Sequence, residues 1–201
     1  MKKAIVLSTL AIGALLSAQG ASAQSDNRGL MLNVHVSGSS VGGTTDDAEL
    51  QSGGGLGVGL GYGFTDRTVL YLNLDAASIE YDEGDLVDLD DGRFDVVTLD
   101  LGLRINFGSE YQKLRPYLNT ALTAVVMGDE AEGVEVATSG GALTLGGGLQ
   151  YFFTRNLAFD GALSFTTGSF TTFEFDGQEE DFEEGIGFNH GRLMLGLTWH
   201  P

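Results

Sequence analysis

One stretch of this chain alternates strictly between glycine and a large apolar residue, which constrains its backbone more than any other feature. Residues 55–64 read Gly-Leu-Gly-Val-Gly-Leu-Gly-Tyr-Gly-Phe. Successive side chains of a β-strand point to opposite faces, so this segment has one large apolar face and one bare face. The pattern predicts a strand that is covered by nonpolar surroundings on one side and leaves room for neighbouring side chains on the other.

The same two-residue period recurs in seven further segments, which gives eight predicted strands. In the fifth segment both faces carry apolar residues, and we assign Leu118, Leu122 and Val126 to the apolar face. The apolar positions of the eight segments lie within residues 30–36, 56–64, 70–76, 97–107, 118–126, 143–153, 157–165 and 193–199.

The predicted connections alternate between short and long, as in an up-and-down barrel that crosses a bilayer. The short ones are residues 65–68, 108–115 and 154–156, and the long ones are 38–52, 81–93, 128–140 and 171–190. The long connections hold 20 of the 28 acidic residues. Basic residues in the short turns are Arg67, Lys113, Arg115 and Arg155. We therefore expect acidic loops on the outer side and short turns on the periplasmic side.

Aromatic residues on the apolar face mark the short-turn end of every descending strand. These residues are Phe64, Phe107, Phe153 and Trp199. Aromatic rings at one level are typical of the interfacial girdle of a membrane barrel.

The polar face decides whether the apolar face points outward or inward. It is mostly Gly, Ala, Thr, Asn and Ser, with few charges, which is unlike the exterior of a soluble, lipocalin-like barrel. The charges predicted to form a lumen network are Asp75, Asp100, Arg104 and Asp160. Arg104 is expected to pair in the lumen with an acidic residue, and the candidates are Asp75, Asp100 and Asp160. Asp75 is the first choice, because the third and fourth strands are neighbours. The predicted fold is all-β: an eight-stranded antiparallel up-and-down transmembrane β-barrel.

The N-terminus predicts export. Lys2 and Lys3 precede an apolar run from residue 4 to about residue 16, and Ala21-Ser22-Ala23 follows as a cleavage site. We expect a signal peptide at residues 1–23 and the barrel domain at residues 24–201. No other stretch approaches the roughly 20 apolar residues of a spanning helix.

Three pieces of sequence carry a family resemblance: residues 55–64, Leu-Arg-Pro-Tyr-Leu at 114–118, and Gly-Leu-Thr-Trp-His at 196–200. With them, the predicted barrel resembles the small eight-stranded outer-membrane barrels, a family that includes the transmembrane domain of outer membrane protein A, outer membrane protein X and the opacity proteins. The resemblance implies a location in the bacterial outer membrane and insertion by the barrel-assembly machinery. In that family the last residue is usually aromatic, whereas here Trp199 precedes His200 and Pro201.

No residue pattern predicts catalysis, a cofactor or a metal site. His35 and Ser37 share a strand face, and lipid-A-modifying barrel enzymes use a His-x-Ser pair, but nothing around these two residues matches those enzymes. Asp88, Asp90 and Asp91 precede Gly92 without the spacing of a calcium loop. We interpret them as a solvated acidic loop.

The sequence therefore predicts a non-enzymatic role, structural or in surface interactions. A small porin-like channel is the main alternative, and a lipid-A-modifying enzyme is a weaker one. The expected partners are outer-membrane lipid and lipopolysaccharide, with divalent cations at the acidic loops as an open possibility. A net charge of −18 argues against nucleic acid as a partner, and we expect a monomer.

Overall fold

A computed structural model describes residues 27–43, 51–81, 92–108, 112–131, 134–175 and 178–201. The eight strands are β1 Gly29–Gly43, β2 Gln51–Gly63, β3 Thr68–Tyr81, β4 Gly92–Asn106, β5 Leu114–Ala131, β6 Val134–Phe152, β7 Leu157–Phe175 and β8 Gln178–Trp199. Each strand pairs antiparallel with the next, and β1 pairs with β8, so the sheet closes into a barrel. The predicted fold class is confirmed. Within these ranges, no helix has the length and apolar character needed to cross a membrane. The predicted signal peptide lies outside the described residues.

Two of the short turns are built in the same way. Thr65 Oγ1 accepts hydrogen bonds from the backbone N–H groups of Arg67 and Thr68, at 3.2 and 3.0 Å. Thr154 Oγ1 accepts the equivalent pair in the β6–β7 turn, at the same two distances. A side-chain hydroxyl that binds the turn backbone stabilises a tight reversal. We call this end of the barrel the turn end and the opposite end the hairpin end.

The hairpin end differs from the prediction. Residues 128–140 and 171–190 were expected to be loops, but β5 extends to Ala131, β6 begins at Val134, β7 extends to Phe175 and β8 begins at Gln178. Both loop predictions are wrong. Apolar residues still alternate with acidic ones in these stretches, and cross-strand pairing continues, for example between Val136 and Phe175. Residues 44–50 and 82–91, from the other two predicted loops, lie outside the described residues.

A belt of apolar side chains surrounds the barrel from the turn end upward. Most leucines at the predicted apolar positions are 37–68% exposed on the outer face, from Leu32 to Leu56, and Leu157 and Leu197 are less exposed. Along β4 the belt runs from Val97 to Phe107, the residue that follows the strand, and the two are ten residue steps apart. At about 3.3 Å per residue and a tilt of about 40°, this is about 25 Å along the barrel axis. That height matches the apolar band of an outer-membrane barrel.

Above the belt the two faces exchange their character. The outer face carries polar residues there, including Ser78, Asp95, Thr167 and Asn189. The inner face carries a buried apolar cluster, which we call the apolar cap: Val41, Ile79, Val96, Val125, Phe170 and Phe188. Water on the outside favours this inside-apolar arrangement, as in a soluble protein core.

Candidate functional site: the barrel lumen

Arg192 organises the upper part of the polar lumen. Its Nη1 donates to Asp75 Oδ2 at 3.1 Å and to Thr98 Oγ1 at 2.8 Å, and its Nη2 donates to Asp100 Oδ2 at 2.7 Å. Arg192 is 2% exposed, and both carboxylates are 3% exposed. Charges this deeply buried must be paired and hydrogen-bonded. We call Arg192, Asp75, Asp100 and His35 the upper ion cluster.

His35 joins this cluster through both ring nitrogens. Its Nε2 lies 2.7 Å from Asp75 Oδ1, and its Nδ1 lies 2.7 Å from Asn33 Oδ1. Asn33 Nδ2 donates to Thr198 Oγ1 at 2.9 Å and to the backbone carbonyl of Leu197 at 3.3 Å, and the carbonyl, which can only accept, assigns the orientation of the amide. Both partners of the ring are hydrogen-bond acceptors, so the ring links the Asp75 carboxylate to the amide of Asn33.

Asp160 is the centre of a second group, the lower ion cluster. It accepts hydrogen bonds from Tyr117 OH at 2.6 Å, Gln150 Nε2 at 2.9 Å, Arg104 Nη1 at 3.2 Å and Thr198 Oγ1 at 3.3 Å. The Arg104 guanidinium lies 4.0 Å from the centre of the Tyr117 ring, within cation–π range. Four donors on one carboxylate satisfy a buried charge that would otherwise be costly.

A small cavity of about 50 Å³ separates the two clusters. Its polar lining includes Asn33, Tyr71, Asn73, Asp100, Arg104, Asn119, Ser164 and Arg192. A polar cavity of this size holds a few water molecules at most. Asn33 also bridges the clusters directly, through its bonds to His35 and Thr198.

The inward glycines leave room that neighbouring side chains occupy. A Cβ added at Gly57 would lie 2.2 Å from His35 Nε2 and 2.7 Å from Asp75 Oδ1. A Cβ at Gly102 would lie 2.6 Å from the Tyr71 hydroxyl. The space over Gly57 is therefore occupied by the upper ion cluster.

All four residues predicted for the lumen network face inward, but they separate into two groups. Arg104 contacts Asp160, which was one of the three candidate partners, so its pairing in the lumen is confirmed and the first choice, Asp75, is wrong. In the β3–β4 register Val69 lies opposite Arg104, and Asp75 lies opposite Thr98, six residues further along β4. Arg192 occupies the position that Arg104 was expected to take beside Asp75.

Arg192 was not among the residues predicted for the lumen network, although the alternation of the eighth segment places it on the polar face. The register of β8 sets Arg192 between Ser39 of β1 and Ser164 of β7, inside the barrel. The alternation of β8 was the signal available in the sequence, because Arg192 lies on the same polar face as Thr198 and His200.

His35 and Ser37 do not form a nucleophile–base pair within the part of the chain that the structure describes. Both ring nitrogens of His35 face Asn33 and Asp75, and Ser37 Oγ is buried there without a hydrogen-bond partner. Both side chains face the lumen. Asp88, Asp90 and Asp91 lie outside the described residues.

The four aromatic residues predicted as a girdle lie on the outer face at the turn end. Phe64, Phe107, Phe153 and Trp199 are 38–59% exposed. Tyr62 packs edge-to-face on Phe64, with ring centres 5.4 Å apart.

Inside the turn end, Phe152 lies between Arg115 and His200. The Arg115 guanidinium is 5.0 Å from the Phe152 ring centre, and the His200 ring centre is 5.5 Å from it. His200 directly follows the last residue of β8. Burial, and then the charges of Arg104 and Arg115, lower the pKa of His200 to about 4.

Comparison with known proteins gives one family and several similar folds. The family described as "Outer membrane protein beta-barrel domain" matches residues 8–185. No curated protein sequence matches the chain.

Three solved structures are similar over most of their length. Neisserial surface protein A has 13% sequence identity and a TM-score of 0.62, over 85% of this chain and 96% of that one. The outer membrane protein AlkL, solved in DMPC lipid bilayers, has 13% identity and a TM-score of 0.57, over 91% and 95%. Ail, the attachment invasion locus protein of Yersinia pestis, has 16% identity and a TM-score of 0.54, over 86% and 98%. At these identities the likeness concerns the fold.

Proposed function

This chain belongs to the outer membrane protein β-barrel family, and we propose that it is a non-enzymatic outer-membrane protein with a structural or surface-interaction role. The observation that carries the proposal is the filled lumen. Two ion clusters occupy it at mid-height, the apolar cap occupies much of it above them, and the cavity between the clusters is about 50 Å³. A second cavity of about 360 Å³ is lined by residues of β1, β2, β7 and β8, including Ser39, Gly53 and Arg192. A lumen occupied in this way favours a role for the outer surface of the barrel.

In this proposal the hairpin end is the contact surface and faces the cell exterior. Two hairpins there, β5–β6 and β7–β8, extend as continuous strands beyond the apolar belt. Their sequences are acidic, and the backbone register sets Glu130 opposite Glu135 and Glu174 opposite Glu179. Like charges at directly opposed positions repel. Divalent cations would relieve that repulsion and bridge the hairpins to anionic lipopolysaccharide.

The proposed binding of divalent cations is tested by limited proteolysis of the folded protein with magnesium or with sodium chloride at equal ionic strength. Magnesium should slow cleavage at the hairpin end, and sodium should not. The variant Glu130→Gln/Glu135→Gln should lose part of the magnesium effect, whereas Asp66→Asn, in a turn at the other end, should keep it. Equal protection by sodium would mean that charge screening accounts for the effect.

A small channel is the second candidate, and the cavity between the ion clusters is the observation in its favour. Eight-stranded barrels have interiors just wide enough for side chains to fill. Planar-bilayer recording separates the two functions, because a surface protein should give no steady conductance in wild-type form. A steady ion-selective conductance would replace the surface role with the channel.

The proposal that the protein is not an enzyme rests on His35, because its two ring nitrogens contact Asn33 and Asp75. A lipid-A-modifying activity would change the mass of lipid A in cells that express the protein. Mass spectrometry of lipid A with and without the protein should show no such change, and a new species that disappears in Ser37→Ala would contradict the proposal.

A further inference from the structure

The apolar cap is built by residues from most of the strands. Its six buried residues come from six different strands, β1, β3, β4, β5, β7 and β8. Ile79 and Val125 are 0% exposed, and the rings of Phe170 and Phe188 stack with centres 4.4 Å apart. Further side chains pack against the cap, namely Phe94, Met127, Ala142 and Phe182. The cap is therefore a layer to which most strands contribute rather than a patch on one wall, and on β8 the buried His190 lies between Phe188 and Arg192.

This layer lies directly above the upper ion cluster. On β4 the inward positions run from Asp100 through Thr98 to Val96, and on β5 from Thr123 to Val125. Thr98 accepts a hydrogen bond from Arg192, and Thr123 donates one to Asp100 Oδ1 at 2.7 Å. One inward position along a strand is about 6.6 Å, so the lowest cap residues adjoin the ion pairs.

The outer surface of the barrel is polar at this level, so contact with the membrane does not explain why the interior is apolar. Asp95 is exposed on the outside of β4 and accepts a hydrogen bond from Ser78 Oγ at 2.5 Å. The neighbouring inward residues, Val96 and Ile79, are 1% and 0% exposed. Apolar groups inside a barrel that has water above and around it exclude that water from the interior.

We propose that the apolar cap is a water seal, which keeps water and ions at the hairpin end away from the Arg192–Asp75–Asp100 ion pairs. An apolar constriction excludes water by dewetting. Ion pairs in the resulting low-dielectric environment attract each other more strongly. This inference rests on the proposed function, a structural or surface role for a barrel with a filled lumen, and we call that role the closed-lumen function.

Two adjacent pairs of valines allow a matched test. Val96 and Val125 face inward, whereas Val97 and Val126 face outward at 39% and 44% exposure and lie directly opposite each other across β4 and β5. Valine and threonine have nearly the same shape, so the variants Val96→Thr/Val125→Thr and Val97→Thr/Val126→Thr differ in which face becomes polar. Both are made in the full-length folded protein in detergent micelles, and heat-modifiability on a gel checks the fold.

The measurement is the exchange of the Arg192 side-chain N–H protons with water, followed by NMR. The inward variant should raise the exchange rate at least tenfold, and the outward variant should leave it near the wild-type value. Fast exchange in the wild type, or an equal rise in both variants, would overturn the seal. If the inward pair does not fold, Val125→Thr alone is compared with Val126→Thr under the same criteria.

Planar-bilayer conductance separates this inference from the proposed function. A conducting wild-type protein would remove the closed-lumen function itself. A non-conducting wild type with fast Arg192 exchange would leave that function intact and remove only the seal.

Discussion

The barrel has two levels with opposite polarity, and β4 passes from one to the other within four residues. At the belt, Val97 faces outward and Thr98 inward, whereas just above it Asp95 faces outward and Val96 inward. The alternation continues without interruption, and only its sign changes. The difference shows that the period of a strand is set by its backbone, whereas the polarity of each face is set by the medium outside the barrel.

The two levels also differ in what holds the interior together. The belt level relies on buried ion pairs and hydrogen bonds, which need complete pairing. The cap level relies on close packing of apolar side chains, as soluble cores do. Substitutions should therefore have different consequences at the two levels, and four predictions address this difference.

The largest effect is expected when a central charge of the lumen is removed. Arg192→Met leaves Asp75 and Asp100 buried without their cation, which should cost about 3–5 kcal/mol of the free energy of unfolding. Urea unfolding in lipid vesicles measures it. Arg67→Met, at an exposed position in a turn, serves as the control and should change stability by less than about 1 kcal/mol. Similar small losses in both variants would mean that the ion clusters do not stabilise the belt level.

The second-largest effect is expected from a charge placed on the outer face, and it should differ between the two levels. Leu101 is 52% exposed at mid-belt, so Leu101→Arg should cost about 2–4 kcal/mol and impair insertion. Thr167 is exposed on the outer face above the belt, and Thr167→Arg should insert normally. Heat-modifiability of outer-membrane fractions reports both. Equal insertion of the two variants would contradict the placement of the belt.

The turn end is predicted to be sensitive to pH through His200. Its pKa is about 4 in the folded protein against 6.5 for the free side chain, so the unfolded chain binds more protons between these values. Stability should be full above pH 6.5 and fall as the pH decreases to about 4. The total loss is up to about 3 kcal/mol, at 1.36 kcal/mol per pKa unit. Unfolding at pH 4 to 7 measures this, and His200→Gln should flatten the profile. An unchanged slope in the variant would exclude His200 as its source.

The smallest effect concerns packing within the cap. Ile79→Val removes one methylene group from a fully buried site and should cost about 0.5–1.5 kcal/mol. Ile105→Val removes the same group from a side chain that is 51% exposed on the belt, and its effect on the free energy of unfolding should be smaller. If the two losses are equal, the cap does not pack like a soluble core.

The sequence predicted the number of strands, their order and the outward face of each one, because a two-residue period is a local property of the backbone. It also placed Asp75, Asp100, Arg104 and Asp160 on the inner face by parity alone. It failed at the hairpin end, where acidic residues were interpreted as loops. A strand that leaves the membrane keeps its alternation but becomes polar on the outside, and composition does not distinguish it from a loop.

The alternation of side chains along single strands thus determined the barrel and the inner positions of its charges. The tertiary structure alone decided which of these charges meet. The stagger of β3 against β4 sets Asp75 beside Thr98 rather than beside Arg104, and closure of β8 onto β1 brings Arg192 across the lumen to Asp75 and Asp100. Ion pairs form over a few ångströms between strands that are far apart in the chain, and only the register and closure of the whole barrel set those distances.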